Sequence, residues 1–412
     1  MYYFGALYFV DLNLPNLIST RISQPKSGSF AATSHKVAVL SIGVGLAVMM
    51  VAYFIMLGFQ NTIKNKIYDF TGQIQITRYV TGNAYNDQPV SLDTTLTGGD
   101  VARVVPFAYM FGLIQEGGEV EGAAFKGIGP QFDSLAFLKY LVSGNFIRFK
   151  EKGSYSSDII ISELEANKLK LDVGSEVVMH FIQSPPRSRK LLIRGIYSTG
   201  MEDFDKQLII GDIGLVRRLN NWADSLAGGY EVYLSNPGAT ESVYASLYNS
   251  LGYNLQVQRS SNKYIQIFEW LSLINNNVNL LIFMVLFVAS FNMISIVLIL
   301  IIERTPMIGT LKALGASDGQ IRSIFRHTGS RLIVKGLLLG NGLGLGFSVL
   351  QHYFKIIPLD PTNYYMSYVP IQFDWWVVLF LNVLVFVIVS LILLIPTMVI
   401  SRIQPIKAIR FD

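Results

Sequence analysis

The chain has no cysteine in its 412 residues, which excludes disulfides, thiol nucleophiles and zinc–thiolate sites. It is also short of charge. Only 15% of its residues are Asp, Glu, Lys or Arg, against about 25% in an ordinary soluble domain, so a single soluble globule is excluded as the default. Disorder is excluded from the other side, because 51% of residues are hydrophobic and supply ample surface to bury. Motifs of intrinsic chemistry are missing too: there is no G-x-x-x-x-G-K-[ST] loop and no H-E-x-x-H helix. The four histidines (His35, His180, His327, His352) are scattered. Asp203 and Asp205 are near neighbours, and two carboxylates in one loop are expected to be solvated. The expectation is a non-enzymatic chain with no catalytic residue, no metal site and no cofactor of its own. A net charge of +5 and a pI near 9.1 are what basic loops beside a membrane supply, so nucleic acid is not an expected partner.

What is present is long apolar runs. The mean hydropathy of +0.41 is too low for a protein made only of spans, which points to a few spans and one large water-exposed part. A bilayer core needs about 20 mostly apolar residues in helix. Four segments qualify: 37–57, 278–302, 332–353 and 375–400, the third being interrupted by Lys335, Asn341 and Gln351. Lys335 is expected to snorkel to the inner interface. Basic residues set the orientation. The loop 303–331 and the start of the third span carry Arg304, Lys312, Arg322, Arg326, Arg331 and Lys335. The tail 401–412 carries Arg402, Lys407 and Arg410, and the leading segment 1–36 carries Arg21, Lys26 and Lys36. The loop 354–374 has only Lys355. Both termini and 303–331 are therefore expected in the cytoplasm and 58–277 outside. Residues 14–23 suit a short helix lying on the inner surface, and the apolar residues 1–10 have no assigned role. The first span is not expected to be a cleaved signal peptide.

The outside segment alternates strand-like runs with turns. Residues 73–78, 158–162, 176–182, 191–197 and 230–234 read as strands, and 163–169 and 212–219 as helices. The fold class expected is an α-helical membrane protein with four transmembrane helices and a large α+β extracytoplasmic domain, of one or two lobes, between helices 1 and 2. Residues 183–190 (QSPPRSRK), with Gln183, Pro185, Pro186, Arg187 and Arg189, read equally well as a solvated hairpin loop or a docking loop. At the domain's edges Phe59, Ile63, Ile67 and Phe70, and then Tyr264, Phe268, Leu271, Ile274 and Val278, recur at helical spacing. Such stripes carry the first two span helices beyond the membrane as a stalk.

The most specific stretch is ERTPMIGTLKALGASDGQIRSIF, residues 303–325. Thr305 and Pro306 can open a helix. Met307, Ile308, Leu311 and Leu314 then share one face, with Lys312 beside them, and Gly315 can stop the helix. Ser317 and Gln320 can form a capping box that starts the helix leading into the third span. An exposed apolar face there requires a protein partner or the lipid surface. In the third span Gly336, Gly340 and Gly344, with Gly342 and Gly346, form a small-residue face expected to pack on the fourth or second span.

The sequence E-R-x-x-M-I-G-x-L-K-A-L-G-A resembles the coupling segment of FtsX/MacB-type permeases, the membrane subunits of mechanotransmitting ABC transporters. Pro405, Ala408 and Arg410 match the ending P-x-x-A-[IL]-R. Gly58, Phe59 and Gln60, then Lys66, Phe70, Gly72 and Ile74, together with GIYSTGMEDFD (195–205), resemble the LolC/LolE lipoprotein-releasing branch. The resemblance implies that Glu303, Arg304, Met307, Ile308, Leu311, Lys312, Leu314 and Gly315 couple to a separate ABC ATPase, which binds the ATP and Mg. It further implies a second permease subunit, identical or different, a lipoprotein taken from the membrane lipid, and a periplasmic carrier recruited by 183–190. A signalling subunit that controls a cell-wall hydrolase and a MacB-like efflux driver remain the alternatives. The location implied is the bacterial inner membrane.

Overall fold

The computed structural model describes residues 30–79, 87–92, 99–116, 118–150, 154–398 and 400. The surface helix expected at 14–23, the leading residues and the tail motif at 405–410 lie outside the described residues. The chain forms two compact units. One is helical and holds the described residues up to Phe59, Ser272–Ile357 and those from Pro370 onward. The other is α+β and holds Gln60–Leu271 and Pro358–Val369.

In chain order the elements are α1 (Phe30–Thr71), β1 (Ile74–Arg78), β2 (Val101–Glu116), β3 (Glu119–Ile128), β4 (Leu141–Gly144), β5 (Asp158–Ser162), α2 (Glu163–Leu169), β6 (Glu176–Phe181), β7 (Arg187–Tyr197), β8 (Leu208–Asp212), α3 (Ile213–Asn220), β9 (Gly229–Leu234), α4 (Thr240–Ser250) and β10 (Leu255–Arg259). The long α5 (Ile265–Glu303), then α6 (Thr305–Ala313), α7 (Asp318–Phe354) and α8 (Trp375–Ile392), complete it. Helical stretches including α1, α5, α7 and Trp375–Thr397 are long and apolar enough to cross a membrane. Their apolar faces are largely open: Phe283, Phe287 and Phe291 of α5 are each more than 60% exposed, which suits lipid rather than water. Tyr353 and Phe354 end α7, and Trp375 and Trp376 begin α8. All four are at least 70% exposed, the placement of aromatics at a membrane–water boundary.

In the helical unit the glycines of α7 pack on α1. A Cβ at Gly336 would lie 2.7 Å from Ile42 Cβ, one at Gly340 2.7 Å from the Gly43 carbonyl oxygen, and one at Gly344 3.1 Å from Met50 Sδ. The partner expected from sequence was the fourth or second span. The first span takes that place because its own Gly43 faces Gly340 and lets the backbones close. Two polar pairs join helices within the bundle. Asn341 and Asn382 exchange amide hydrogen bonds at 2.8 and 3.0 Å, joining α7 to α8, and Asn292 donates to Ser41 Oγ at 2.8 Å, joining α5 to α1.

The α+β unit is built on one ten-stranded sheet in the order β10-β1-β9-β2-β3-β8-β5-β7-β4. Strand β6 pairs with both β2 and β7, so β2, β3, β8, β5, β7 and β6 close into a ring that leaves no open edge among them. Its interior is filled by Met110, Ile114, Phe125, Ile159, Met179, Phe181, Ile193 and Ile209, none more than 1% exposed. Strands β2, β3, β4, β8 and β10 were not legible as period-two runs, while β1, β5, β6, β7, β9, α2 and α3 coincide with the expected segments to within a few residues. The expected stalk stripe is buried: Ile63, Ile67 and Phe70 are at most 2% exposed. Burying each of these side chains contributes on the order of 1.5–3 kcal/mol. Within this unit the rings of Tyr68 and Phe268 lie 6.2 Å apart and bring the ends of α1 and α5 together.

Candidate functional site

Three places in the chain offer function. The first is an apolar groove in the helical unit. Val37, Leu40, Val44 and Val48 recur every three or four residues along α1, and Met284, Val285, Val288 and Ala289 do the same along α5. Helical periodicity puts each set on one face, and the two faces enclose about 480 Å³. Ser41 is the one hydroxyl in the lining, and no charged side chain contributes. Such a space can hold hydrocarbon and has nothing to offer a charged or strongly hydrated ligand.

The second is α6 and its flanks. Pro306 stands in the first turn, as expected, but the cap position falls on Arg304 without a side-chain bond. Thr305 Oγ1 instead donates back to the Ile301 carbonyl at 3.2 Å, so Thr305 is not the cap that the sequence suggested. The stop is a Schellman turn: Gly315 adopts φ +92, its N–H reaches the Lys312 carbonyl at 3.0 Å, and Ala316 N–H reaches Leu311 at 2.9 Å. The capping box of Ser317 and Gln320 is present and starts α7. The apolar stripe is not the open face expected. Ile308 is fully buried in the helical unit's core, and Met307 and Leu311 pack partly against it. Lys312 is pinned by Asp318 at 2.8 Å and by the Ile400 carbonyl at 2.9 Å. The surface left open is a different ridge, formed by Ile302, Glu303, Pro306, Thr310, Ala313, Leu314 and Gly315, with Leu314 80% exposed.

The third is the β6–β7 hairpin. Its loop is only 182–186, because Phe181 pairs with Arg187 and residues from Arg187 on are strand. Gln183 and Pro185 are in the turn, with Pro186 at its end. Arg187 donates to the Leu219 carbonyl at 2.8 Å and Arg189 to the Ser188 carbonyl at 2.8 Å. Beside the hairpin the outer face of the ring carries several exposed apolar side chains among polar ones such as His180 and Ser188. Phe111, Leu113, Val120, Val178 and Ile182 are between 38% and 53% exposed.

Sequence reading missed the polar joint where α1 enters the α+β unit. Lys126, in the apolar run AAFKGIG, is 1% exposed. Its ammonium donates to the Phe70 carbonyl, at the last turn of α1, and pairs with Glu231 at 2.6 Å. Gln75 Nε2 donates to the same carboxylate at 3.2 Å and the Tyr233 hydroxyl at 3.1 Å. Gly72 then turns the chain at φ +64, where a Cβ would stand 2.8 Å from the Val232 carbonyl oxygen. A lone lysine inside a strand-like apolar run was the available signal. Asp205, expected to be solvated, is 3% exposed. It accepts from Thr199 Oγ1 at 2.8 Å and from Gly200 N–H at 2.9 Å. Burial pushes its carboxyl up, against the pull of those hydrogen bonds.

Comparison with known proteins agrees with this architecture. The model of the MacB-like periplasmic core domain matches residues 37–249, more than half of the chain, and that of the FtsX-like permease C-terminal region matches 279–405. This chain belongs to the FtsX/MacB-like permease family. As a family member it is a membrane permease subunit of the ABC-transporter type and not a catalytic enzyme. It is 21% identical over 406 residues to the lipoprotein-releasing system transmembrane protein LolC of Xylella fastidiosa, covering 94% of this chain and 96% of that one. It is 20% identical over 419 residues to LolE of Haemophilus influenzae, covering 96% and 98%. Among solved structures, the periplasmic region of MacB from Actinobacillus actinomycetemcomitans is similar at a TM-score of 0.35 and 14% identity, covering 50% of this chain and 98% of that one.

Proposed function

We propose that this permease subunit takes lipoproteins out of the inner membrane and passes them to a soluble carrier, driven by a separate ATPase. The observation that carries the reading is the groove between α1 and α5, apolar along its length and large enough for hydrocarbon. Moving acyl chains into water costs about 0.8 kcal/mol per methylene. Extraction therefore needs an apolar stopping place and an external source of work, and names of relatives at 21% and 20% identity point the same way. Both termini and 303–331 face the cytoplasm and the α+β unit faces the periplasm, on the basic-residue asymmetry. The ATPase, which holds the ATP and Mg, seats on the open ridge around Leu314, with Glu303, Arg304 and Gly315 at its ends. Met307, Ile308, Leu311 and Lys312 hold that ridge on the bundle. A second permease subunit completes the transporter. The hairpin with Gln183, Pro185, Pro186, Arg187 and Arg189 and the exposed apolar side chains beside it receive the carrier. Depleting the protein and fractionating the envelope tests this reading. Lipoproteins are expected to accumulate in the inner membrane, and an unchanged distribution would sink it.

A further inference from the structure

The segment between α7 and α8 reads in sequence as a plain external loop, yet Pro358–Val369 groups with the α+β unit. It has its own local order: Pro358 bridges Tyr368, Leu359 N–H reaches the Ser367 carbonyl at 3.0 Å, and a helical turn spans Pro361–Tyr364. One side chain ties it down. Lys66, in the last turns of α1, donates to the Tyr365 carbonyl at 2.6 Å and to the Thr199 carbonyl at 2.5 Å. Thr199 belongs to the turn that Asp205 organises through Thr199 N–H, Thr199 Oγ1 and Gly200 N–H, and that carboxylate is near enough to act electrostatically on Lys66. The Tyr365 ring also meets Trp270 edge-on at 6.0 Å. A lysine drawn out of water needs polar partners. Here both carbonyls come from segments more than 130 residues away in the chain, so the contact is specified by tertiary structure.

We propose that 358–369 is a strap and that Lys66 is its buckle. The ammonium fastens the chain between α7 and α8 to the 199–205 turn and to the end of α1. Only three residues (355–357) join the strap to α7, and five (370–374) join it to α8. With the strap fastened, those two helices are tethered to the α+β unit as well as α1 and α5, which run into it directly. This goes beyond the transport reading and does not depend on the cargo.

The absence of native cysteine gives a clean test in the full-length protein in detergent. A Cβ built at Gly200 lies 3.8 Å from Pro361 Cβ, close to the mean disulfide spacing of about 3.8 Å. The pair Gly200→Cys and Pro361→Cys is expected to cross-link under mild oxidation, against the strain of a side chain at the left-handed Gly200. Adding Lys66→Met is expected to slow that cross-linking about tenfold, because hydrogen bonds from a charged donor are the strong ones. Equal rates with and without Lys66 would overturn the proposal. If the lysine variant does not insert, or if Gly200, at φ +67, accepts no side chain and the pair does not cross-link, the unsubstituted chain still decides. The Leu359 and Tyr365 amides are expected to exchange with solvent at least about tenfold more slowly than an unstructured loop. Loop-like exchange at both would refute the strap.

Discussion

Lys126 and Glu231 are each at most 1% exposed and lie 2.6 Å apart, so neither can be removed alone without leaving a charge in the core. Breaking such a pair costs about 3–5 kcal/mol, whereas replacing both partners with apolar residues is often neutral. Glu231→Gln is expected to lower the thermal midpoint of the full-length protein in detergent, and Lys126→Met with Glu231→Leu to recover most of it. A single substitution without effect would mean that the joint is not held by this pair. Glu165 makes a different case. It is 5% exposed and neither carboxyl oxygen has a partner among the described residues. Burial, with the nearby Glu121 charge second, pushes its carboxyl from the ordinary 4.5 to about 8, against the pull of Lys168. The native state then holds a proton that the unfolded state releases, so the group's contribution is full below about pH 4.5 and is lost as pH rises through about 8. Glu165→Gln, which cannot ionise, is expected to leave the midpoint unchanged at pH 4 and raise it at pH 8. A difference independent of pH would show that the carboxyl is not held neutral.

Among the elements, the sequence spoke most clearly where local rules act alone. The capping box at Ser317, the glycine stop at Gly315 and α2 over Glu163–Leu169 depend on side chains three or four residues apart, and all are present. What could not be read was which neighbour an element meets. The stripe on α6 has the same spacing whether it faces a partner or its own bundle, and tertiary packing turned Ile308 inward. The glycines of α7 likewise announce a close approach without saying to which helix. The groove needs two such faces from helices more than 200 residues apart, so it was out of reach as well. Two predictions follow the packing. Leu314→Asp is expected to abolish co-purification of the ATPase at an unchanged thermal midpoint, while Ile308→Asp lowers the midpoint itself by burying a charge. Normal ATPase recovery with Leu314→Asp would remove the ridge as the docking surface. Gly340→Leu drives a side chain into the Gly43 carbonyl, 2.7 Å from where its Cβ would stand. Overpacking of this kind costs on the order of 1–3 kcal/mol, and an unaltered midpoint would count against tight α1–α7 packing.

At the scale of the whole molecule the proposed division of labour leaves hydrolysis to a partner and movement to this chain. Under the proposed reading a permease subunit does its work by moving, and two long helices contribute residues to both units. Helix α1 runs unbroken from Phe30 to Thr71 and α5 from Ile265 to Glu303. Each contributes a groove wall at one end and a segment of the α+β unit at the other. Under the proposed reading, force delivered beside α6 reaches the groove through the same helices that enter the α+β unit. Filling the groove should then separate binding of cargo from the motor. Val44 and Val288 line it and are 44% and 56% exposed, so a larger apolar side chain at either enters open space and leaves the core alone. Val44→Trp with Val288→Trp is expected to leave insertion, thermal midpoint and ATPase binding as they are. Lipoprotein release is expected to fall at least about tenfold, the consequence of losing on the order of two buried methylenes of cargo contact. Release at the normal rate from a groove blocked in this way would place the cargo elsewhere on the permease and leave the coupling ridge and the strap untouched.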